Sequence, residues 1–458
     1  MIPSLLKFLV ICLEVVLIFN LLIVVHELGH FLAAKWRGLV VEKFAIWFGK
    51  PIWSRKIGGV EYILGSIPAG GYVAIPQLAP MEVLEGKVEQ SRDVLPPVKP
   101  LDKIIVAAAG PVFSLGLAVV MACIVWAVGK PQSEFDRPVI GFVAEGGPAE
   151  KAGLRPGDEI LAVDGHPVKT FLSGTDSVKW RIIRSEGATI PFTVRREGQV
   201  ITIESGWVKP ETSSWRRPAL REVRVGPQIV PGVGFVVPGG IADKAGLQAG
   251  DLITAVNQKP IFNLSEMGSF VDEGRGQSLS VEVERAGQPV TVTIPLPAKT
   301  AEENPVDLGV EWGRMTLMYP DPFTQIRDAA TSIFRMIGAL FSSKSDVKAA
   351  HFSGPVGIMR LYYQIFESPD GWRIALAFSV LINVNLALIN LLPFPVLDGG
   401  HITLAIIEAV RRKPINVRVL EFVQTACALA LIGFMLYLTF YDVGDIVSPD
   451  RPAATQKK

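Results

Sequence analysis

The sequence predicts a multi-span α-helical membrane protein with two small β-rich modules inserted between its second and third spans. Three observations predict it: four apolar stretches long enough to cross a bilayer, a segment that repeats itself, and an uneven distribution of Lys and Arg. The composition agrees, since 49% of the 458 residues are apolar and only 19% are charged, against about 25% charged in soluble proteins. Forty-five basic and 44 acidic residues leave a net charge of +1, so nucleic acid has no electrostatic claim as a partner. Cys12, Cys123 and Cys427 each sit inside an apolar run, which is neither a disulfide framework nor a thiolate metal site.

The four stretches run from about Leu5 to Ala34, Ile104 to Val128, Ile374 to Leu392 and Val419 to Phe440. Crossing ~30 Å of hydrocarbon takes roughly 20 residues of helix. The first stretch is too long for a signal-peptide core of about 7 to 15 residues, and it carries Glu14, Asn20, His26, Glu27 and His30.

Orientation follows from the basic residues, which collect on the cytoplasmic side. Lys35, Arg37, Lys43, Lys50, Arg55, Lys56, Lys87, Arg92, Lys99 and Lys103 lie between spans one and two, and Arg411, Arg412, Lys413 and Arg418 between spans three and four. Both connections are therefore expected in the cytoplasm. The two termini and the long segment from 130 to 370 are expected outside it.

That segment contains the repeat. Ala149 to Val168 laid over Ala242 to Ile261 matches at 11 of 20 positions with an offset of 93. A short A-x-K-A-G-L helix, a Gly-Asp turn and an alternating strand describe a small β-rich module used twice. The stretches resemble bacterial PDZ domains, which implies that peptide-pairing strands begin at Val139 to Val143 and Val233 to Val237. Such modules add a partner's strand to a sheet edge, or serve as compact spacers. After them, Phe323, Ile326, Ala330, Ile333, Phe334, Ile337 and Phe341 recur at helical spacing, predicting an amphipathic helix that lies on the membrane or packs against protein.

The chemistry sits where polar residues enter apolar spans. His26-Glu27-Leu28-Gly29-His30 is an H-E-x-x-H pattern, whose two imidazoles share one helix face and can hold one metal ion. Glu27 is placed to reach a water on that ion without ligating it. Two His and a Glu in hydrocarbon are costly unless partnered. A catalytic zinc site needs a third protein ligand, and Asp398 and His401 are both candidates, in a Pro- and Gly-broken segment (Asn390 to His401) at the same membrane end as His26 and His30. Broken backbone at that depth implies a protein-lined or wet cavity.

H-E-x-x-H in the first span, with N-x-x-P-x-P-x-L-D-G after the third, resembles the site-2 family of intramembrane zinc metalloproteases. The tandem PDZ insertion is similar to the sigma-E-regulating branch of that family. Gly110 to Ser114 and Ser353-Gly354-Pro355 also match. The resemblance implies that His26, His30 and Asp398 hold one Zn²⁺, that Glu27 is catalytic, and that Asn390 holds the substrate backbone; His401 matches no ligand. Residues 44 to 75 read as strand-like runs with Gly-Gly turns and resemble the family's re-entrant β-hairpin, with Gly70, Gly71 and Tyr72 in its substrate-pairing stretch. Trp47 departs from the family, which carries Gly there, and so bears on close backbone approach.

The implied organisation is 1–128 for the first membrane half, 129–215 and 216–300 for PDZ domains one and two, 301–371 for the external helical region and 372–458 for the second membrane half. The implied activity is cleavage of single-span membrane proteins in a bacterial inner membrane, with the site toward the cytoplasm. A pre-trimmed anti-sigma factor and signal-peptide remnants are the implied substrates, with peptide C-termini as possible ligands of the PDZ grooves. A metal transporter or a PDZ-bearing scaffold are the rival expectations.

Overall fold

The computed structural model describes residues 4–78, 98–133, 137–172, 174–210, 212, 216–228, 231–262, 264–298, 306–313, 315–342, 344–368, 370–412 and 417–447. Lys87, Arg92 and Lys413, counted above toward the charge asymmetry, lie outside the described residues. The chain divides into two compact units: 1–130 with 319–334 and 352–458, and 131–318 with 335–351.

In the first unit four helices are long and apolar enough to cross a membrane. They are α1 (Ser4–Trp36), α2 (Pro100–Val128), α9 (Gly371–Asn390) and α11 (Val417–Val447), numbered with the helices between them introduced below. Each overlaps the stretch expected from hydropathy. Leu13, Leu17, Leu429 and Leu436 are exposed on them, an arrangement that costs little against lipid tails. Pro100 opens α2, where its missing N–H is no loss, and Arg37 pairs with Asp102 at 2.7 Å beside it.

The middle of this unit is α2, which packs against α1, α9 and the short α10 (Asp398–Arg411). Its buried face carries a row of small residues, Gly110, Ser114, Ala118 and Ala122, beside larger ones such as Met121 and Val125. Small side chains let helix backbones approach closely in lipid, where association depends on packing. At the α9 end, Arg373 reaches the carbonyls of Val128 and Gly129, capping the C-terminus of α2 with a cation as its dipole favours.

Between α1 and α2 lie β1 (Lys43–Ile57) and β2 (Val60–Ala74). Both bend, so that residues 43–46 pair with 71–74 on one side and with 61–64 on the other, while 53–56 pair with 61–64. The result is a small sheet in which 71–74 forms an outer edge. Phe31, Phe44 and Tyr62 pack ring against ring beneath it.

The second unit contains two modules of one topology. The first runs β3 (Lys130–Ser133), β4 (Ile140–Val143), α3 (Pro148–Ala152), β5 (Glu159–Val163), β6 (His166–Pro167), α4 (Val178–Arg184), β7 (Ile190–Arg196), β8 (Gln199–Ser205) and β9 (Val225–Pro227). The second runs β10 (Val233–Val236), α5 (Ile241–Ala245), β11 (Leu252–Val256), β12 (Lys259–Pro260), α6 (Leu264–Glu273), β13 (Ser278–Arg285), β14 (Gln288–Pro295) and β15 (Val310–Trp312), after which β16 (Met315–Met318) pairs with β3. The strand orders β6-β5-β7-β8 and β12-β11-β13-β14 are equivalent, and β4-β9 matches β10-β15.

The repeated motif explains itself physically. Gly153 and Gly246 stop α3 and α5, both at φ 87°, a conformation glycine adopts at no steric cost. The Asp of each Gly-Asp turn is buried and clamped by two arginine hydrogen bonds of 2.7 Å, Asp158 by Arg196 and Asp251 by Arg285. Buried carboxylates persist only when paired in this way.

β4, within Val139 to Val143, pairs with β9, and β10, within Val233 to Val237, pairs with β15; at the start of each, Ile140 N–H and Val233 N–H donate to the backbone carbonyls of Asp158 and Asp251. Each of β4, β9, β10 and β15 has one strand neighbour in its sheet. The expected domain boundaries at 215/216 and 300/301 fall short, since Val223 and Val225 complete the first core and Leu308 and Val310 the second. A closing strand of three residues carries too little pattern to be seen.

The region expected as 301–371 is likewise divided. α7 (Pro322–Phe341) contributes Ile326 and Ala329 to the first unit, packed with Ala118 and Val384, and Met336 and Ala339 to the second, packed with Trp180 and Ile183. The apolar stripe is only partly covered: Ile333 is buried, whereas Phe323, Phe334 and Phe341 are exposed. The segment ends in α8 (Pro355–Glu367).

Candidate metal centre

His26 and His30 lie one turn apart on α1, with ring centroids 4.9 Å apart. Asp398 opens α10, delivered by the turn that follows α9. The turn folds so tightly onto the start of α10 that a Cβ on Gly399 would lie 2.2 Å from the carbonyl oxygen of Leu391, and one on Gly400 2.0 Å from that of Phe394. The two glycines after Asp398 are thus required by close backbone approach. Gln424 of α11, fully buried, approaches the carbonyl of Pro395 at 3.4 Å from the other side.

These elements bring three side chains to one point. One ligand atom from each of His26, His30 and Asp398 lies within 4.8 Å of the others. His26 Nε2 is 3.2 Å from Asp398 Oδ2, His30 Nε2 is 3.4 Å from Asp398 Oδ1, and the two Nε2 atoms are 3.3 Å apart. His401, the other candidate for third ligand, lines the same cavity and is outside this group. His166 and His351 belong to the second unit.

The imidazoles are held from behind by α2. His30 Nδ1–H donates to the carbonyl of Val106 at 2.8 Å, and a carbonyl only accepts, so the lone pair of His30 lies on Nε2. His26 Nδ1 meets Ser114 Oγ at 3.0 Å. The rings fit against Gly110, where a Cβ would lie 2.2 Å from His30 Nε2 and 2.8 Å from His26 Nε2. Two nitrogens and a carboxylate crowded with lone pairs inward, each ring oriented through its other nitrogen, form the donor set of a divalent transition metal. Asp398 Oδ2 is buried with no hydrogen-bond partner among the described residues, as a ligand oxygen awaiting a cation would be. The residues therefore fit zinc.

Around the triad lies a cavity of about 410 Å³, lined among others by Glu27, Tyr72, Asn390, Lys103 and Glu408. Asn390 Nδ2 stands 3.4 Å from His26 Nε2. Gly71, on the sheet edge, is close to Glu27: a Cβ there would lie 3.6 Å from Glu27 Cγ and 3.0 Å from the carbonyl oxygen of Ala45. Gly70 (φ 79°) lies under the Phe48 ring, which stacks on Tyr72 at 6.2 Å. His26, Glu27, His30, Tyr72, Asn390 and Asp398 therefore line one cavity, while Gly70 and Gly71 precede Tyr72 on the sheet edge without lining it.

Some groups escape sequence reasoning. Lys103 Nζ and Glu408 Oε2 form a 2.6 Å ion pair at the cavity, 305 residues apart. Val106 contributes only its carbonyl, which no side-chain pattern announces. Ser114 is the exception, because it stands in the Gly110 to Ser114 motif.

Comparison with known proteins follows the same lines. The family model described as Peptidase family M50 matches residues 14–434. The Regulator of sigma-E protease RseP of Escherichia coli strain K12 is 32% identical over 463 residues, covering 92% of this chain and 96% of that protein. Protease RseP of Yersinia pestis is 31% identical, covering 92% and 96%. A protein of Neisseria meningitidis whose name carries the words zinc metalloprotease is 31% identical, covering 93% and 97%.

Proposed function

The chain belongs to peptidase family M50 as a zinc metalloprotease of the site-2 type, and on that premise we propose that it hydrolyses single-span membrane proteins at the bilayer's cytoplasmic side. The observation that carries this reading is the convergence of His26, His30 and Asp398 on one point beside Glu27. In this reading the three side chains hold the metal, and zinc, when bound, supplies a Lewis acid for peptide hydrolysis.

The chain's own residues account for the rest. Glu27 takes the proton of the attacking water and returns it to the leaving amine. A substrate span must first open, because peptide groups in an intact helix are already hydrogen-bonded. The outer edge of residues 71–74 supplies an alternative partner: an extended substrate segment adds to it as a further strand and passes Glu27. Asn390 then steadies the substrate backbone from the opposite wall. Gly71 admits that backbone close to the carboxylate, where a larger side chain would stand in the way.

The substrates we favour are a membrane-spanning anti-sigma factor already shortened outside the membrane, and signal-peptide remnants. What supports this is likeness to the relatives named Regulator of sigma-E protease. The chain is read as a multi-pass protein of a bacterial inner membrane with its termini and modules periplasmic, and the modules are read as PDZ domains that exclude substrates with bulky outer parts.

The test is Glu27→Gln, which keeps shape and ligands. Purified variant and wild type should bind equal zinc, while cleavage of a reporter span by the variant falls by at least about 100-fold, as loss of a general base entails. Undiminished cleavage would remove the proteolytic assignment of Glu27.

A further inference from the structure

Trp47 is the one aromatic residue with a positive φ, 70°, among the described residues. For a bulky side chain this is an outlier that the surroundings must enforce. It marks the bend of β1, where pairing changes register: Ile46 still faces Gly71 and Leu64, whereas Phe48 faces Ile67 and Pro51 faces Gly65.

The enforcing contact comes from the first span. Trp47 Nε1–H donates to Asn20 Oδ1 at 2.5 Å. Asn20 is 8% exposed and anchors its own amide on the Val16 carbonyl at 2.7 Å. It precedes His26 by six residues, about 9 Å along the helix. Inside a membrane protein such a bond has no water to replace it, so both groups are tied to it.

The adjacent residue carries the connection onward. The Phe48 ring stacks on Tyr72 with planes 8° apart and fills the space over Gly70, where a Cβ would lie 2.0 Å from its ring. Asn20, Trp47, Phe48 and Tyr72 thus form a continuous line from α1 to the outer edge beside Glu27.

We propose that Asn20 and Trp47 are positioning residues whose hydrogen bond pins the bend of β1 to α1 and so sets where the 71–74 edge presents a substrate strand to the catalytic carboxylate. This rests on the strand-addition reading above. The pin acts on binding and on the choice of bond, and leaves the metal ligands and Glu27 untouched.

The experiment compares wild type, Trp47→Phe, Asn20→Leu and the double variant on a single-span peptide in detergent, with Glu27→Gln as the inactive control. KM, kcat, the cut position by mass spectrometry and zinc content are measured on the same preparations. Each single change should raise KM roughly fivefold, the loss of one net hydrogen bond, with kcat within about twofold and a second cut appearing at a neighbouring bond. The double variant should be no worse than either single, since both remove one interaction.

Single variants with wild-type KM and cut position, or effects that multiply in the double, overturn the proposal. Lost zinc in both would make the pair a support of α1 itself and overturn it equally. Failure of the wild type to cut any span peptide sinks the proteolytic reading instead. In that event, binding of the same peptide to Glu27→Gln with and without Trp47→Phe still reports on the pin, and equal affinities overturn it.

Discussion

Gly357 N–H donates to Asp442 Oδ2 at 2.8 Å, and Gly354 N–H reaches the same oxygen at 3.0 Å. Asp442 lies near the end of α11 and is 2% exposed, so the N-terminus of α8 is capped by a carboxylate from another helix, 85 residues away in sequence. Helix starts leave N–H groups unpaired and favour negative charge. The Ser353-Gly354-Pro355 motif makes sense in this light: the glycine admits the carboxylate and the proline begins the helix. A Cβ on Gly357 would sit 2.5 Å from Asp442 Oδ1.

Asp442→Ala should therefore lower stability by about 1–2 kcal/mol, the range of a lost cap, and Gly357→Ala should cost at least as much by displacing the carboxylate. Denaturant unfolding in detergent reads both. A stable Gly357→Ala protein would mean that the carboxylate is free to move aside.

Gly110→Ala aims at the metal centre without changing a ligand. Its Cβ would stand 2.2 Å from His30 Nε2, so zinc content of the purified variant should fall well below one per chain, and cleavage with it. Ala109→Gly, one position along, is the control expected to keep zinc.

Ser114→Ala leaves His26 Nδ1 without its 3.0 Å partner. Loss of a group that orients a ligand typically costs about 10–100-fold in metal affinity. Zinc competition with a chelator should show a shift of that order, and Ser114→Thr, which retains the hydroxyl, should recover part of it.

In the second unit the prediction concerns pH. Burial alone would raise the Asp346 carboxyl, but hydrogen bonds and charge from Arg221 and Lys209 hold it below the usual carboxylate range. A carboxyl depressed on folding adds stability that is complete above its unfolded value near 4 and fades as pH falls through the folded value. Asp346→Asn should cost about 3 kcal/mol at pH 7, since it leaves buried Arg221 uncompensated, and the gap in melting temperature from wild type should narrow as pH falls below about 4. A gap independent of pH would show that packing around residue 346, and no charge pair, carries the effect.

The four spans were readable because about 20 apolar residues in a row have few other uses, and the two modules because the motif around Gly153 recurs around Gly246. Charge-derived topology brought Asp398 and His401 to the membrane end of His26 and His30, and only the family resemblance chose Asp398 between them, since ligands 368 residues apart share no local pattern. What escaped is of another kind. The Val106 carbonyl, the Gln424 contact with Pro395 and the Asn20 bond to Trp47 join elements whose proximity arises only after packing. β9 and β15 are three residues each, shorter than any periodicity can register.

Those two late strands change what counts as one copy of the repeat. Ile140 and Val233 are fully buried, with β9 and β15 paired directly alongside them. A unit cut at the end of the visible motif would leave each of these sheets without its second strand, so one copy of the module is longer than the stretch whose likeness is legible.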